Sequence, residues 1–154
     1  MQFTRAVPDD AAELTRIAHA AKRHWGYPEE WIARWAPALT VTPEFIRTNP
    51  TVVARMETEP VGFAALTGLG RQLRLEHLWV LPAFMGRGIG RALFQEIALV
   101  GRAAGWSSVQ VISDPHAEGF YLRLGARRVG EQISDPEGHG RTLPVLLVNL
   151  RPAG

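Results

Sequence analysis

Leu78-Trp79-Val80-Leu81-Pro82-Ala83-Phe84-Met85-Gly86-Arg87-Gly88-Ile89-Gly90-Arg91-Ala92-Leu93 is the stretch whose reading decides the fold. An apolar run reaches Pro82, glycines follow at alternate positions, and Ile89, Leu93, Ile97 and Val100 then recur at the spacing of one helix face. A buried strand therefore runs through a turn into a helix. The glycines at 86, 88 and 90 remove side chains that would shield backbone N–H groups, and a helix N-terminus adds its dipole and unsatisfied donors. Such a turn suits a phosphate or pyrophosphate, with Arg87 and Arg91 placed to add ion pairs. Taken alone, it is better explained by φ angles and helix–sheet packing. Its spacing, GxGxG, is neither the P-loop GxxxxGK[ST] nor the dinucleotide pattern GxGxxG.

Just upstream, Leu73, Leu75, His77, Trp79 and Leu81 fall on one face of a strand and Glu76, Leu78 and Val80 on the other. Apolar residues on both faces place that strand inside a sheet. Thr51–Met56 and Val61–Leu69 precede it as further strands of an antiparallel meander, separated by Glu57-Thr58-Glu59-Pro60. Nearer the N-terminus, Gln2–Val7 reads as a strand, and Asp9 and Asp10 offer capping oxygens to a helix carrying Leu14, Ile17, Ala18 and Ala21. A second helix starts with Pro28 at its first position and stops at Pro37; a short turn runs from Thr42-Pro43-Glu44 to Asn49-Pro50.

Downstream, the helix ends near Gly105, Trp106–Ile112 is a buried strand, and Asp114-Pro115 opens a short helix closed by Gly125. Arg127–Ile133 and Leu143–Leu150 are two last strands joined by the polar loop 134–140. The order β-α-α-β-β-β-α-β-α-β-β, with no repeat or linker, makes residues 1–154 a single α/β (α+β) domain.

Composition agrees. The chain has 154 residues, 46% hydrophobic and 21% charged, as one globular domain has, and this excludes fibrous and disordered classes. A formal charge of +2 is a poor footprint for nucleic acid. The absence of cysteine excludes a disulfide scaffold, a thiolate metal site and a Cys-linked acyl-enzyme, and fits a reducing cytoplasm. The N-terminus has no apolar leader and no apolar run is of membrane-spanning length, so a soluble, cytoplasmic protein without membrane contact is expected. His19, His24, His77, His116 and His139 form no HxH or HExxH pattern, and no metal is expected.

The sequence from Met85 to Gly90 resembles the acyl-CoA pyrophosphate motif of the GNAT N-acetyltransferase superfamily, [QR]xxGx[GA]. Gly88 and Gly90 match its small positions, and Met85 stands where Gln or Arg is usual. Asp114–Ala126 is similar to a second pattern of that family, NxxAxxFYxxxGF: Ala117, Phe120, Tyr121 and Gly125 match, with Asp114 for Asn and Ala126 for Phe. The resemblance spans essentially the whole chain. It implies a mixed, mostly antiparallel sheet flanked by helices and splayed at its central strand, and transfer of an acetyl group from acetyl-CoA to a primary amine by direct attack in a ternary complex. It further implies that Gly86, Arg87, Gly88, Ile89, Gly90 and Arg91 hold the pyrophosphate. The backbone of Leu78, Trp79 and Val80 would hold pantetheine and the acyl carbonyl, in the manner of an oxyanion hole.

By the same resemblance Tyr121 is the acid that assists the departing thiolate, and Asp114 lies beside the cofactor without the amide N–H of Asn. Glu76, on the face of Leu78, is either the base that deprotonates the amine, with a pKa raised by burial, or a solvated or arginine-paired carboxylate. His77 is expected to pack in the core, and His116 and Glu118 are weaker candidates. Trp25, Tyr27, Trp31 and Trp35 crowd the first helix pair, where relatives form an acceptor wall; they line such a wall, glue the helices to the sheet or make a dimer contact. The loop Gly138-His139-Gly140-Arg141 is either a cover for the acceptor cleft or a surface loop. A monomer or homodimer is expected. A non-catalytic acyl-CoA-binding sensor and a tRNA-directed acetyltransferase are the rival readings.

Overall fold

Strand-forming runs and helix-spaced stripes alternate along the computed structural model in nearly the expected order. The structure describes residues 1–134 and 141–150, so Gly138-His139-Gly140 and the rest of their loop lie outside the described residues. The strands are β1 (Gln2–Arg5), β2 (Thr51–Met56), β3 (Glu59–Leu69), β4 (Gln72–Val80), β5 (Ser108–Ile112), β6 (Arg127–Ser134) and β7 (Arg141–Asn149). The helices are α1 (Ala11–Arg23), α2 (Glu29–Leu39), α3 (Pro43–Thr48), α4 (Ile89–Ala103) and α5 (Glu118–Arg123). The strands hydrogen-bond in the order β1-β2-β3-β4-β5-β7-β6, a mixed, mostly antiparallel sheet flanked by helices. β4 and β5 are parallel, a connection that needs a crossover, and α4 supplies it. The β4–β5 ladder pairs Leu73 with Val109 and Arg74 with Gln110.

Two compact units make up the chain. The first comprises Met1–Leu66 and His77–Ile97. Its core joins Leu14, Ile17 and Ala18 of α1 to Leu39, Val41, Ile46, Val53 and Phe63. Thr15 ties α1 to the segment after α2, its hydroxyl donating to the Val41 carbonyl at 3.1 Å and accepting from the Val41 N–H at 2.9 Å. The second unit comprises Thr67–Glu76 and Ala98–Gly154. There Val109 and Val111 of β5 pair with Val148 and Leu146 of β7, all four buried. β6 closes the sheet order as an edge strand, exposed from Arg127 to Ile133.

Several local expectations are corrected. Asp10 does not cap α1 through its side chain; its Oδ2 accepts from the Val7 N–H and the Arg55 guanidinium, both at 2.9 Å. Pro28 stands at the N-cap of α2, and Pro37 lies inside it, two residues before the end. That close to the C-terminus a missing N–H costs one hydrogen bond and leaves no later turn to kink. The short turn at Pro43 is a true helix, α3, whose N-cap Thr42 accepts from the Phe45 N–H at 3.0 Å.

Glu59 and Pro60 belong to β3, so the β2–β3 hairpin turns on Glu57 and Thr58 alone. Pro60 is accommodated opposite Arg55, at the bulge between Ala54 and Arg55. Glu57 (φ 53°) and Thr58 (φ 86°) both occupy the left-handed region, the demand of a type I′ turn that Asn-Gly meets without strain. Replacing the pair, Glu57→Asn with Thr58→Gly, is expected to stabilise the fold by about 1 kcal/mol. Thermal melts then show a rise of about 2–4 °C; an unchanged or lower midpoint contradicts this reading of the turn.

Candidate active site

In the first unit, the end of β4 is built around a missing side chain. A Cβ at Gly62 of β3 would stand 2.9 Å from the Trp79 carbonyl oxygen and 3.0 Å from Leu93 Cδ1, so glycine is required for β3, β4 and α4 to approach. The Leu81 N–H donates to the Val61 carbonyl at 2.8 Å, continuing the contact to the strand's last residues. Leu78, Trp79 and Val80 are half-buried. The Trp79 indole N–H donates to Nδ1 of His77 at 2.9 Å, which places the ring proton of neutral His77 on Nε2. His77 is buried against Phe45 and Phe63, with ring centroids 5.6 and 5.4 Å away, the packed histidine expected.

The chain leaves β4 through a 3₁₀ turn, Pro82–Phe84, and reaches α4 through Gly86 (φ +76°) and Gly88 (φ +80°). No atom lies within 4 Å of a Cβ built at either glycine, so backbone conformation selects glycine here and the space beside it stays open. The Ala92 N–H donates to the Gly88 carbonyl at 3.1 Å, so the N–H groups of Ile89, Gly90 and Arg91 belong to the first turn, which has no intrahelical acceptors. Donors before the ladder, a positive helix end and open space are what an anionic phosphate needs. Arg87 and Arg91 are exposed, and the Arg87 guanidinium lies 5.3 Å over the Phe84 ring.

Tyr27, Trp31 and Trp35 form one cluster: Tyr27 stacks on Trp31 at 6.0 Å and meets Trp35 edge-on at 4.9 Å, with Trp31 and Trp35 at 5.9 Å. Trp25 meets His24 at 5.1 Å. Sequence reasoning missed what covers these rings. The chain's only lysine, Lys22, holds its ammonium 4.3 Å from the Trp35 centroid and 5.0 Å from that of Tyr27. Lys22 precedes Tyr27 by a loop and not by a helical turn, so no periodicity signals the contact.

In the second unit, Glu76 is exposed and accepts from the Thr67 hydroxyl at 3.1 Å. The burial expected of its strand position is absent, because Glu76 takes the face opposite Leu75 and His77. Asp114 caps the turn leading to α5. Its Oδ1 accepts from the His116 N–H at 2.9 Å and lies 2.9 Å from His116 Nδ1, while Oδ2 is 3.4 Å from Arg141. Arg141, the first residue of β7, is a partner no local pattern reveals. Tyr121 is buried one helical turn on, and Gly125 (φ +95°) closes α5 with the Ala126 N–H donating to the Tyr121 carbonyl at 3.1 Å. Burial pushes the Tyr121 phenol well above the usual tyrosine range, and the negative charge of Asp114 adds to it. A phenol so placed stays protonated and keeps its proton to donate.

Among the described residues, no three His, Cys, Asp or Glu side chains are grouped as a metal would need, and no helix is long and apolar enough to cross a membrane.

Comparison with known proteins identifies the family and the fold. The family model for the acetyltransferase (GNAT) domain matches residues 27–137. A Bacillus subtilis (strain 168) protein provisionally named an acetyltransferase is 26% identical over 82 residues, 53% of this chain; the chain spans 56% of that relative's length. The crystal structure of a GCN5-related N-acetyltransferase from Rhodopseudomonas palustris superposes with a TM-score of 0.82 at 23% identity, covering 96% of this chain and 94% of that one. The paia N-acetyltransferase of Thermoplasma acidophilum, in complex with coenzyme A, has a TM-score of 0.76 at 16% identity, over 96% and 98% of the two chains.

The state of Tyr121 has a measurable consequence. Its native phenol keeps a proton that the unfolded chain loses near pH ~10, so the native state's advantage is intact below that pH and declines as pH rises beyond it. Thermal midpoints of the wild type are expected to fall across that alkaline window, and Tyr121→Phe to flatten the fall. Tyrosinate absorbance of the native wild type, compared with that of Tyr121→Phe, should then show the Tyr121 phenol ionising only well above the usual tyrosine range; ionisation within that range refutes the burial argument.

Proposed function

The chain belongs to the GNAT acetyltransferase family, and from that premise we propose that it moves an acetyl group from acetyl-CoA to a primary amine of a small molecule or peptide, by direct attack in a ternary complex. The observation that carries the reading is the Gly86–Arg91 turn, whose backbone donors and open space fit a pyrophosphate. In this reading Gly86, Arg87, Gly88, Ile89, Gly90 and Arg91 hold the phosphates, and the backbone of Leu78, Trp79 and Val80 orients pantetheine and the acyl carbonyl. Acetyl-CoA supplies the activated thioester. The polarising contact is a main-chain group fixed by packing, which needs no reorganisation as charge develops. Coenzyme A bound to the Thermoplasma acidophilum structure is consistent with this assignment.

Tyr121 protonates the departing thiolate, and its buried, protonated state supports a donor role. Asp114 lies beside the cofactor and carries Tyr121's electrostatic partner charge. A base takes a proton from the amine directly or through water, and Glu76, exposed and bonded to Thr67, is one candidate for that role. Trp25, Tyr27 and Trp31 line the acceptor side, and residues 1–154 act as one domain, cytoplasmic, as a monomer or homodimer, without metal or nucleic acid.

Calorimetry with CoA is the direct test. Micromolar binding is expected, weakened at least roughly tenfold, or about 1.4 kcal/mol, by Gly88→Val, because a positive φ strains a β-branched residue and displaces the turn. Absence of binding by the wild type removes the proposal. Release of CoA thiol across a panel of amines then separates an enzyme from an acyl-CoA sensor. Tyr121→Phe is expected to lower kcat roughly 100-fold with CoA affinity retained; normal turnover by that variant removes Tyr121 from the acid role.

A further inference from the structure

The second unit contains a histidine, His116, that the reading above leaves idle. We propose that His116, oriented by Asp114, is the general base that takes the proton from the acceptor ammonium. His116 Nδ1 lies 2.9 Å from Asp114 Oδ1, and the same oxygen accepts the His116 N–H at 2.9 Å, so ring and backbone are held by one carboxylate. Arg141 holds the other oxygen at 3.4 Å; the side chains of Asp114 and Arg141 are only 13% and 14% exposed, against 43% for His116. A mostly buried ion pair thus carries an exposed imidazole. With Nδ1–H donated to the carboxylate, the basic lone pair is on Nε2, the arrangement by which a carboxylate sets the tautomer of a catalytic histidine.

Glu76, the alternative base, has no comparable orienting group: its described partner is the hydroxyl of Thr67. The carboxylate that orients His116 is also the one whose charge is felt by the Tyr121 phenol, so acid and base share one neighbour. Among the described residues, Asp114 on its own turn contacts His116, Arg141 from β7 reaches that Asp114, and Glu118, at the start of the adjoining α5, is drawn 3.5 Å to Arg128 of β6. Asp114 and Arg141 are positioning residues.

The inference rests on the acetyl-transfer reading, and its proton balance is complete. The acceptor ammonium gives one proton to His116 Nε2, and the freed amine forms a C–N bond with the thioester carbonyl carbon. The C–S bond then breaks. The thiolate takes a proton from the Tyr121 hydroxyl, Tyr121 is reprotonated by the nitrogen that has become an amide, and His116 releases its proton to solvent.

Two experiments test it. Nitrogen NMR of imidazole-labelled protein, without any ligand, is expected to show His116 protonated at Nδ1 and to lose that preference in Asp114→Asn; the opposite tautomer in the wild type overturns the proposal. Thiol release from acetyl-CoA with phenethylamine, spermidine and lysine is then followed against pH. His116→Gln is expected to lower kcat/KM roughly 100-fold, to abolish the limb that rises with pH and to leave CoA affinity unchanged. Added imidazole should restore part of the rate to His116→Ala. Turnover by His116→Gln within twofold of wild type, with the limb intact, overturns the role of His116 alone. A wild type that binds CoA but acetylates none of these amines overturns the acetyl-transfer reading and the base with it.

Discussion

Gly62 is where the first unit is locked together. A single absent methyl lets the Trp79 carbonyl and the Leu93 side chain close on the same point, so β3, β4 and α4 are positioned by one contact. The turn between β4 and α4 inherits that geometry. Because Leu93 is pinned to the sheet, the helix can begin only about one turn earlier, and Gly86 and Gly88 must absorb the reversal from strand to helix in conformations other residues resist. The glycine turn is thus a product of packing behind it, because the helix it leads into is anchored at Leu93.

The same logic explains what could be read in advance. Periodicity and glycine spacing report on contacts local in sequence, and these were legible: the alternation that buries Leu73, Leu75 and His77, the stripe of Ile89, Leu93 and Ile97, the Asp114 cap and the Gly125 stop. Contacts made by long side chains or across strands carry no such signature. Lys22 over Trp35, Arg141 on Asp114, Arg55 on Asp10 and Thr67 on Glu76 all join residues whose neighbourhood is set by topology. The hairpin at Glu57-Thr58 was misjudged for another reason: tertiary pairing holds two residues where their own preferences would not.

Chemical roles followed a similar division. The phenol of Tyr121 was recognisable from its pattern, but its protonation state depends on burial and on Asp114, which only the fold assembles. Glu76 shows the converse. Its place in a largely buried strand gave it an apparent environment that the pleat denies, since alternate residues of one strand meet opposite surroundings.

Lys22 has a consequence beyond the cluster it covers. An acetyl thioester is a mild acylating reagent toward any amine within reach, and this chain offers it one side-chain amine, partly covered by tryptophan and tyrosine. Elsewhere its basic charge is carried by arginine, whose guanidinium stays protonated and unreactive. A chain of this composition thereby has a single side-chain amine for such a reagent to modify. Amine-directed dyes and crosslinkers meet the same scarcity: apart from the main-chain amino terminus they have one target, and modifying it strips the ring faces of their charge.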